Sequence, residues 1–355
     1  MKSAAEFYVE RKKRSWLKLL IVLVLIVFFF VLNIAWGSVF IPFSQIVMVL
    51  TGGQAENASW GSIILNTRLP QAVTAIFAGA ALGLSGLMMQ TLFRNPLAGP
   101  SVLGVSSGAS LGVAVMMMFI TLPGGKFIVL NQVFGNFSVI FSAFAGAFAV
   151  LLLIGFFAEH FKSSTTILIL GIMLGYAISA IVGILQFYSL KEDLQAFVIW
   201  GLGSFANVSW ERMSFFTGII FVGILLSVSL VKPLNALLLG ENYAQNLGIN
   251  LKRTRILIIV ATGILTAAVT AYCGPIAFLG LAIPHLSRNL FKTSNHLINI
   301  PGVIFTGALL ALFCNLIARL PGFDGALPIN AITSIIGAPV VIWIILKRNE
   351  FRVQS

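Results

Sequence analysis

Charge is scarce in this chain: Asp, Glu, Lys and Arg make up 9% of 355 residues, against 59% hydrophobic. So little polar surface cannot coat soluble domains of this length, and the chain is read as a membrane protein. Acid is scarcer still, with Asp plus Glu at 10 and Lys plus Arg at 22, a net charge of +12. The acids, Glu6, Glu10, Glu56, Glu159, Glu192, Asp193, Glu211, Glu241, Asp324 and Glu350, all fall in loops or at the ends of apolar runs. A proton- or sodium-coupled carrier keeps an ionisable group at mid-membrane to hold its coupling ion, and none is evident. Two cysteines, Cys273 and Cys314, sit in or beside apolar runs and read as small buried hydrophobes, which argues against disulfide or redox chemistry. The histidines, His160, His285 and His296, are too scattered for a metal site. No glycine-rich turn ends in Gly-Lys-Ser or Gly-Lys-Thr; the nearest stretch, Gly124-Gly125-Lys126-Phe127, has no nucleotide meaning. Energy must then come from elsewhere, or none is used, and no cofactor is expected on this chain. No paired nucleophile and base lies within the apolar runs, so an intramembrane enzyme is excluded.

What is present is a series of long apolar runs. The start, Lys2 and then Arg11, Lys12, Lys13 and Arg14 before an apolar stretch over 16–36, has the charge order of a signal peptide. Signal cores hold roughly 7 to 15 apolar residues, so this stretch reads as an uncleaved first span. Length and punctuation give about ten crossings in all, at 16–36, 70–92, 102–120, 137–157, 165–187, 213–231, 256–273, 276–290, 300–317 and 327–346. A re-entrant or interfacial piece is expected at 196–206. With the N-terminus inside, only Arg68, Lys126, Lys191, Arg212 and Arg319 of the 22 basic residues fall outside. That asymmetry supports cytoplasmic N- and C-termini and an even number of crossings. It also accounts for the basic excess through topology and anionic lipid, leaving no case for nucleic acid. The expected organisation is a basic N-terminus at 1–15, a membrane domain at 16–348 with an inside loop at about 232–255, and a tail at 349–355. Gly79, Ala80, Ala81, Gly83 and Gly86 in the second run favour close helix packing in lipid.

Punctuation is densest around the second run. Arg68-Leu69-Pro70 opens it, and proline in a first helical turn is expected to start the span there. After Gln90 come Phe93, Arg94, Asn95, Pro96, Leu97, Ala98, Gly99 and Pro100, then Leu103, Gly104, Val105, Ser106, Ser107, Gly108 and Ala109, a tight turn into another small-residue helix. A second block reads Leu239, Gly240, Glu241, Ala244, Leu247 and Gly248, and a third Gly274, Ile276, Phe278, Gly280, Leu281, Pro284, His285 and Arg288. A closing stretch holds Leu327, Pro328, Thr333, Gly337, Ala338 and Pro339. In the order and spacing of these blocks, from about residue 60 to 348, the chain resembles the permease subunit of the FecCD-type ABC importers of iron-siderophore complexes, haem and cobalamin.

The resemblance implies an all-α bundle of about ten transmembrane helices, assembled as a homodimer in the bacterial cytoplasmic (inner) membrane. It implies two cytoplasmic ATPase subunits beneath and an extracytoplasmic substrate-binding protein above. Gly240, Glu241, Ala244, Leu247 and Gly248 match the family's ATPase-coupling segment, and 236–248 is expected to form two short helices broken near Gly240. A solvated amphipathic loop would be the plain alternative. Arg68 and Arg319 match arginines that meet glutamates on the binding protein, although lipid snorkelling would also suit them. Here Gln71 stands where the family commonly has a second arginine, and Asn315 where relatives often carry Asp. Ser164 and Thr165, beside Lys162 and Ser163, match a cytoplasmic gate and equally suit the N-cap of a helix. Trp200, Gly203 and Ser204, within Trp200-Gly201-Leu202-Gly203-Ser204-Phe205, match a short helix at the outer end of the pathway, where an interfacial aromatic anchor is the alternative. Asn95, Pro96, Pro284, His285 and Arg288 belong to the general family pattern and do not discriminate among cargoes.

Membrane lipid is the surrounding partner. The competing function is a stand-alone secondary transporter or channel, which would need an ionisable group or polar filter within the spans. Ferric siderophore is the first expectation for the cargo, with haem and cobalamin as alternatives.

Overall fold

A computed structural model describes residues 4–37, 39–119, 137–161, 163–320 and 326–353. The expectations attached to Lys2, to Gly124, Gly125 and Lys126, to Lys162 and to Asp324 lie outside those residues. The described residues are helical throughout, with no strand among them, in a polytopic membrane bundle.

Among the described residues, seven helices are long and apolar enough to cross a membrane. They lie in α1 (Ala4–Ala35), α3 (Ala58–Leu92), α5 (Phe137–His160), α6 (Ser164–Tyr188), α8 (Trp210–Ser229), α11 (Leu251–Cys273) and α13 (His296–Ala318). Shorter helices fill the remaining expected positions: α4 (Val105–Ala114, running on to Phe119 with wider π turns), α12 (Leu279–Phe291) and α14 (Ile329–Val353). Between them lie α2 (Phe43–Leu50), α7 (Lys191–Gly201), α9 (Val231–Leu239) and α10 (Glu241–Asn246). Helix α7 overlaps the first part of the piece expected at 196–206, and a 3-10 turn at Phe205–Asn207 follows it.

The middle of the bundle is α3, with 83% of its apolar window buried, against 17% for α1 and 22% for α5 and α6. Its small residues explain that position. A Cβ built at Gly79 would stand 2.1 Å from the Gly307 carbonyl oxygen on α13, so only glycine permits that crossing. Helix α11, the second most buried, flanks α3 and carries Thr262, Thr266 and Thr270 inward.

Pro70 does not start the second span, contrary to the sequence expectation. The chain is helical from Ala58, and the segment Ile63–Arg68 winds as a π-helix before the α-helical stretch from Leu69. The wider turn lets the Leu69 N–H reach the Ile64 carbonyl five residues back, which absorbs the proline without breaking the helix. Two further elements went unanticipated. Helix α1 begins at Ala4, well before residue 16, and α2 adds a short apolar helix.

Candidate functional sites

Three groups of residues stand out, one at each end of the bundle and one holding a turn between helices. The ends follow from helix direction: α3 runs from Arg68 at one end to Leu92 at the other, and α11 and α13 run back.

At the end marked by Leu92, α9 and α10 form two short helices broken at Gly240, as expected from the sequence. Gly240 has φ +125°, a conformation costly for any residue with a side chain. A Cβ there would also come within 2.8 Å of Arg94 Nη2. Arg94, itself left-handed at φ 48°, donates from Nη2 and Nε to the Leu237 carbonyl at 3.2 and 3.4 Å. It thereby adds a second donor to a carbonyl at the end of α9 that also accepts from the Gly240 N–H at 3.2 Å.

Glu241 opens α10 and is held from two sides. Ser164 Oγ donates to its Oε1 at 2.6 Å, and Arg255 Nη2 to its Oε2 at 2.9 Å. The Arg255 side chain is only 8% exposed, while that of Glu241 is 31% exposed, so the pair is shielded on the arginine side and open to solvent on the carboxylate side. Ala244 is fully buried, whereas Leu238, Leu239, Tyr243 and Leu247 on the same two helices are exposed. Gly248, at φ 81°, ends the segment and donates to the Gln245 carbonyl. Ser164, Thr165, Arg94, Gly240, Glu241 and Asn246 line one polar cavity of about 780 Å³. The N-cap of α6 is Ser163, whose side chain accepts from Thr166 N at 3.3 Å, so Ser164 is free to bind Glu241 and Thr165 stays exposed.

The turn after α3 is clamped by α12. His285 Nε2 donates to the Pro96 carbonyl at 2.8 Å, which fixes its tautomer and leaves Nδ1 to accept from Arg288 Nη2 at 3.4 Å. Arg288 also donates to Gln90 Oε1, and Gln90 Nε2 to the Leu281 carbonyl at 3.2 Å. Asn95 Oδ1 accepts from Leu97 N at 3.0 Å, an Asx turn. Pro284 lies inside α12 in the wall facing this turn and is buried. Both ring nitrogens of His285 are thus engaged within the protein.

At the opposite end, Arg68 is 1% exposed and donates to the carbonyls of Ile34, Ala35 and Val39, closing the end of α1. Arg319, half-buried, follows α13 and points a nitrogen toward the Asn33 carbonyl at 3.5 Å. The two guanidinium groups converge over Gly37, where a Cβ would stand 3.0 Å from each. Burial first, and the neighbouring Arg68 second, lower Arg319 to about 10, still protonated at neutral pH. The two departures from the family pattern touch each other: Gln71 Nε2 donates to Asn315 Oδ1 at 3.1 Å, and Asn315 Nδ2 to Asn33 Oδ1 at 2.7 Å. A neutral amide ladder thus ties α3, α13 and α1 together. At the same end Trp200 is buried on α7, Ser204 N donates to the Cys273 carbonyl at 2.8 Å, and Gly203 accepts from Ile329 N at 3.4 Å. This group holds α7 against α11 and α14.

Sequence reasoning missed Arg255, Arg94 as a clip, and the buried chain from Thr91 through His296 to Asn235, whose contacts with the ring are 2.9 Å each. A signal for Arg255 existed: Glu241 is the only acid in 232–255, and Arg255 closes that loop immediately before the next apolar run at 256–273. Among the described residues, no group of three or more His, Cys, Asp or Glu converges as a metal site would require.

Comparison with known proteins identifies the family and the fold. Residues 24–347 match the FecCD transport family. The chain is 35% identical over 343 residues to the vitamin B12 import system permease protein BtuC of Citrobacter koseri, covering 96% of this chain and 97% of that one. It is 37% identical over 282 residues to BtuC of Salmonella arizonae, covering 79% and 82%. Among solved structures, an ABC transporter assigned to the metal-chelate type, in an inward-facing conformation, superposes with a TM-score of 0.80 at 32% identity, over 93% of this chain and 98% of that one.

Proposed function

We propose that this chain, which belongs to the FecCD transport family and is the membrane permease component of an ABC-type importer, moves a large metal chelate across the cytoplasmic membrane. The cargo is a ferric siderophore in the first instance, with cobalamin, named for the relatives above, and haem as the alternatives. The engaged ring nitrogens of His285 argue against that residue as a haem ligand.

The observation that carries this reading is the joint at Glu241. One carboxylate is bonded at once to Ser164, the matching gate position, and to Arg255 at the base of α11, and it opens the short helix that matches the coupling segment. Movement imposed on α9 and α10 would therefore be passed to the head of α6 and to α11 together. Exposed Leu239, Tyr243 and Leu247 give this segment an apolar tip for a groove on an ATPase subunit. The chain acts as a homodimer with two such ATPases, ATP and magnesium being theirs, and this end faces the cytoplasm along with both termini. At the outer end Arg319 presents the charge that meets carboxylates of the binding protein. Arg68, locked to three carbonyls, holds the platform beneath it.

The test is co-purification of the tagged chain expressed with its chromosomal neighbours, then ATPase assay in lipid with each candidate binding protein. A stable complex stimulated by one loaded binding protein identifies the cargo through that protein. A chain that purifies alone and moves solute without nucleotide contradicts the reading.

A further inference from the structure

Beside α7 a cavity of about 420 Å³ opens between α5, α7, the start of α8 and the end of α11. It lies at the Arg68 end of the bundle, where Trp210 of α8 donates to the Leu65 carbonyl at 2.7 Å. Its walls are of two kinds. Val139 and Ile140 of α5 make an apolar side; Trp200, Ser204, Asn207, Arg212 and Tyr272 make a polar one.

Among the described residues two donors on the polar side are buried without an acceptor, Trp200 Nε1 and Arg212 Nε. Trp200 is itself only 8% exposed, so water does not readily replace the missing partner. Arg212 makes no ion pair among the described residues, and no Asp or Glu lines the cavity. Its guanidinium is held over the Phe137 ring, 5.1 Å from the centroid, which fixes the side chain and leaves its charge unneutralised. Indole and guanidinium nitrogens are donors only. Among the described residues neither donor meets an acceptor, and beside an arginine without an ion pair the best-matched acceptor is an anionic oxygen.

We propose that this cavity binds an oxyanion of the phosphate class, with Arg212 and Trp200 Nε1 donating to it and an attached alkyl portion lying against Val139 and Ile140. The same chemistry is offered by the phosphodiester of a lipid headgroup and by a free phosphate. Because Trp200 is carried by α7 and Arg212 by α8, occupancy clamps α7 to α8 and α5. Lipid composition would then bear on the helix assigned to the outer end of the pathway.

The test uses the full chain, purified in detergent and stripped of lipid. Brominated phosphatidylglycerol, brominated diacylglycerol and inorganic phosphate are titrated separately, with tryptophan quenching for the lipids and a shift in melting temperature for phosphate. The share of Trp200 is taken as the difference from Trp200→Phe. Arg212→Gln should weaken phosphatidylglycerol by at least about tenfold, the loss expected for a charge-assisted hydrogen bond, and Arg212→Lys by less. Diacylglycerol, lacking the phosphate, should not quench Trp200. Arg212-dependent binding of inorganic phosphate, with none of phosphatidylglycerol, would assign the site to a free anion. If neither ligand depends on Arg212 or Trp200, the proposal is overturned. Should Arg212→Gln fail to fold, Arg212→Lys and Trp200→Phe decide it by the same comparison.

Discussion

Ser164 Oγ and Glu241 Oε1 lie 2.6 Å apart, joining the first turn of α6 to the first residue of α10 across 77 positions of sequence. The other oxygen of the same carboxylate takes Arg255, so one side chain bridges three helices. Removing the hydroxyl should loosen the joint and leave the bundle intact. Ser164→Ala is expected to lower the stimulation of ATPase by the binding protein several-fold, since a hydrogen bond to a charged group is worth about 1.5–3 kcal/mol. The melting temperature of the complex should move little, and the two readouts together separate coupling from folding.

Gly240 breaks the chain between α9 and α10, the segment proposed to couple to the ATPase. Gly240→Ala would force a side chain into φ +125° against Arg94, at about 1–3 kcal/mol of strain. Transport should fall while the membrane-embedded helices stay protected in hydrogen exchange, with faster exchange confined to α9 and α10.

Arg68 and Arg319 should part company under mutation. Arg68→Ala leaves three carbonyls at the end of α1 without their donor, at about 1–3 kcal/mol for each one that stays unsatisfied, and should lower the melting temperature. Arg319→Glu should instead weaken binding-protein affinity, strongly at low salt and much less near 1 M, where the Debye length is about 3 Å. Equal affinities at low salt would remove Arg319 from docking.

The amide pair offers a double-mutant cycle. Gln71→Arg alone buries a charge beside an amide and should destabilise; adding Asn315→Asp supplies its counter-ion. A coupling energy of about 0.5–3 kcal/mol in thermal or denaturant unfolding is expected for such a contact pair. Strict additivity would show that the two positions do not communicate.

Much of this molecule was legible in its sequence, and the reasons are specific. Long apolar runs report on the bilayer, so α1, α5, α6, α8, α11 and α13 were found near their observed places. The break at Gly240 was legible because glycine between two amphipathic stretches has few other uses. The start of α3 was misread because Pro70 is a good helix opener, and nothing in the local sequence announces the π turn that carries the chain past it. Helix α2 was missed because eight apolar residues resemble any short buried run. Side-chain partnerships were the least visible. That Gln71 and Asn315 are both departures was evident; that each answers the other depends on the crossing of α3 with α13, which the small residues permit but do not register.

His285 provides a check on cargo. With Nε2 bonded to Pro96 and Nδ1 facing Arg288, His285→Ala should destabilise the turn after α3. It should leave the ranking of cargoes unchanged in uptake assays, whereas a change in that ranking would make the ring a contact of the cargo.

The central claim is that Glu241 transmits the work of the ATPase to the pathway, and its most direct test is the ratio of cargo imported to ATP hydrolysed in proteoliposomes. Glu241→Gln keeps the shape of the side chain and removes the charge that Arg255 meets. The expected result is continued hydrolysis with import reduced about tenfold or more, the equivalent of roughly 1.4 kcal/mol of lost coupling. An unchanged ratio would show that the joint between α6, α10 and α11 carries no motion.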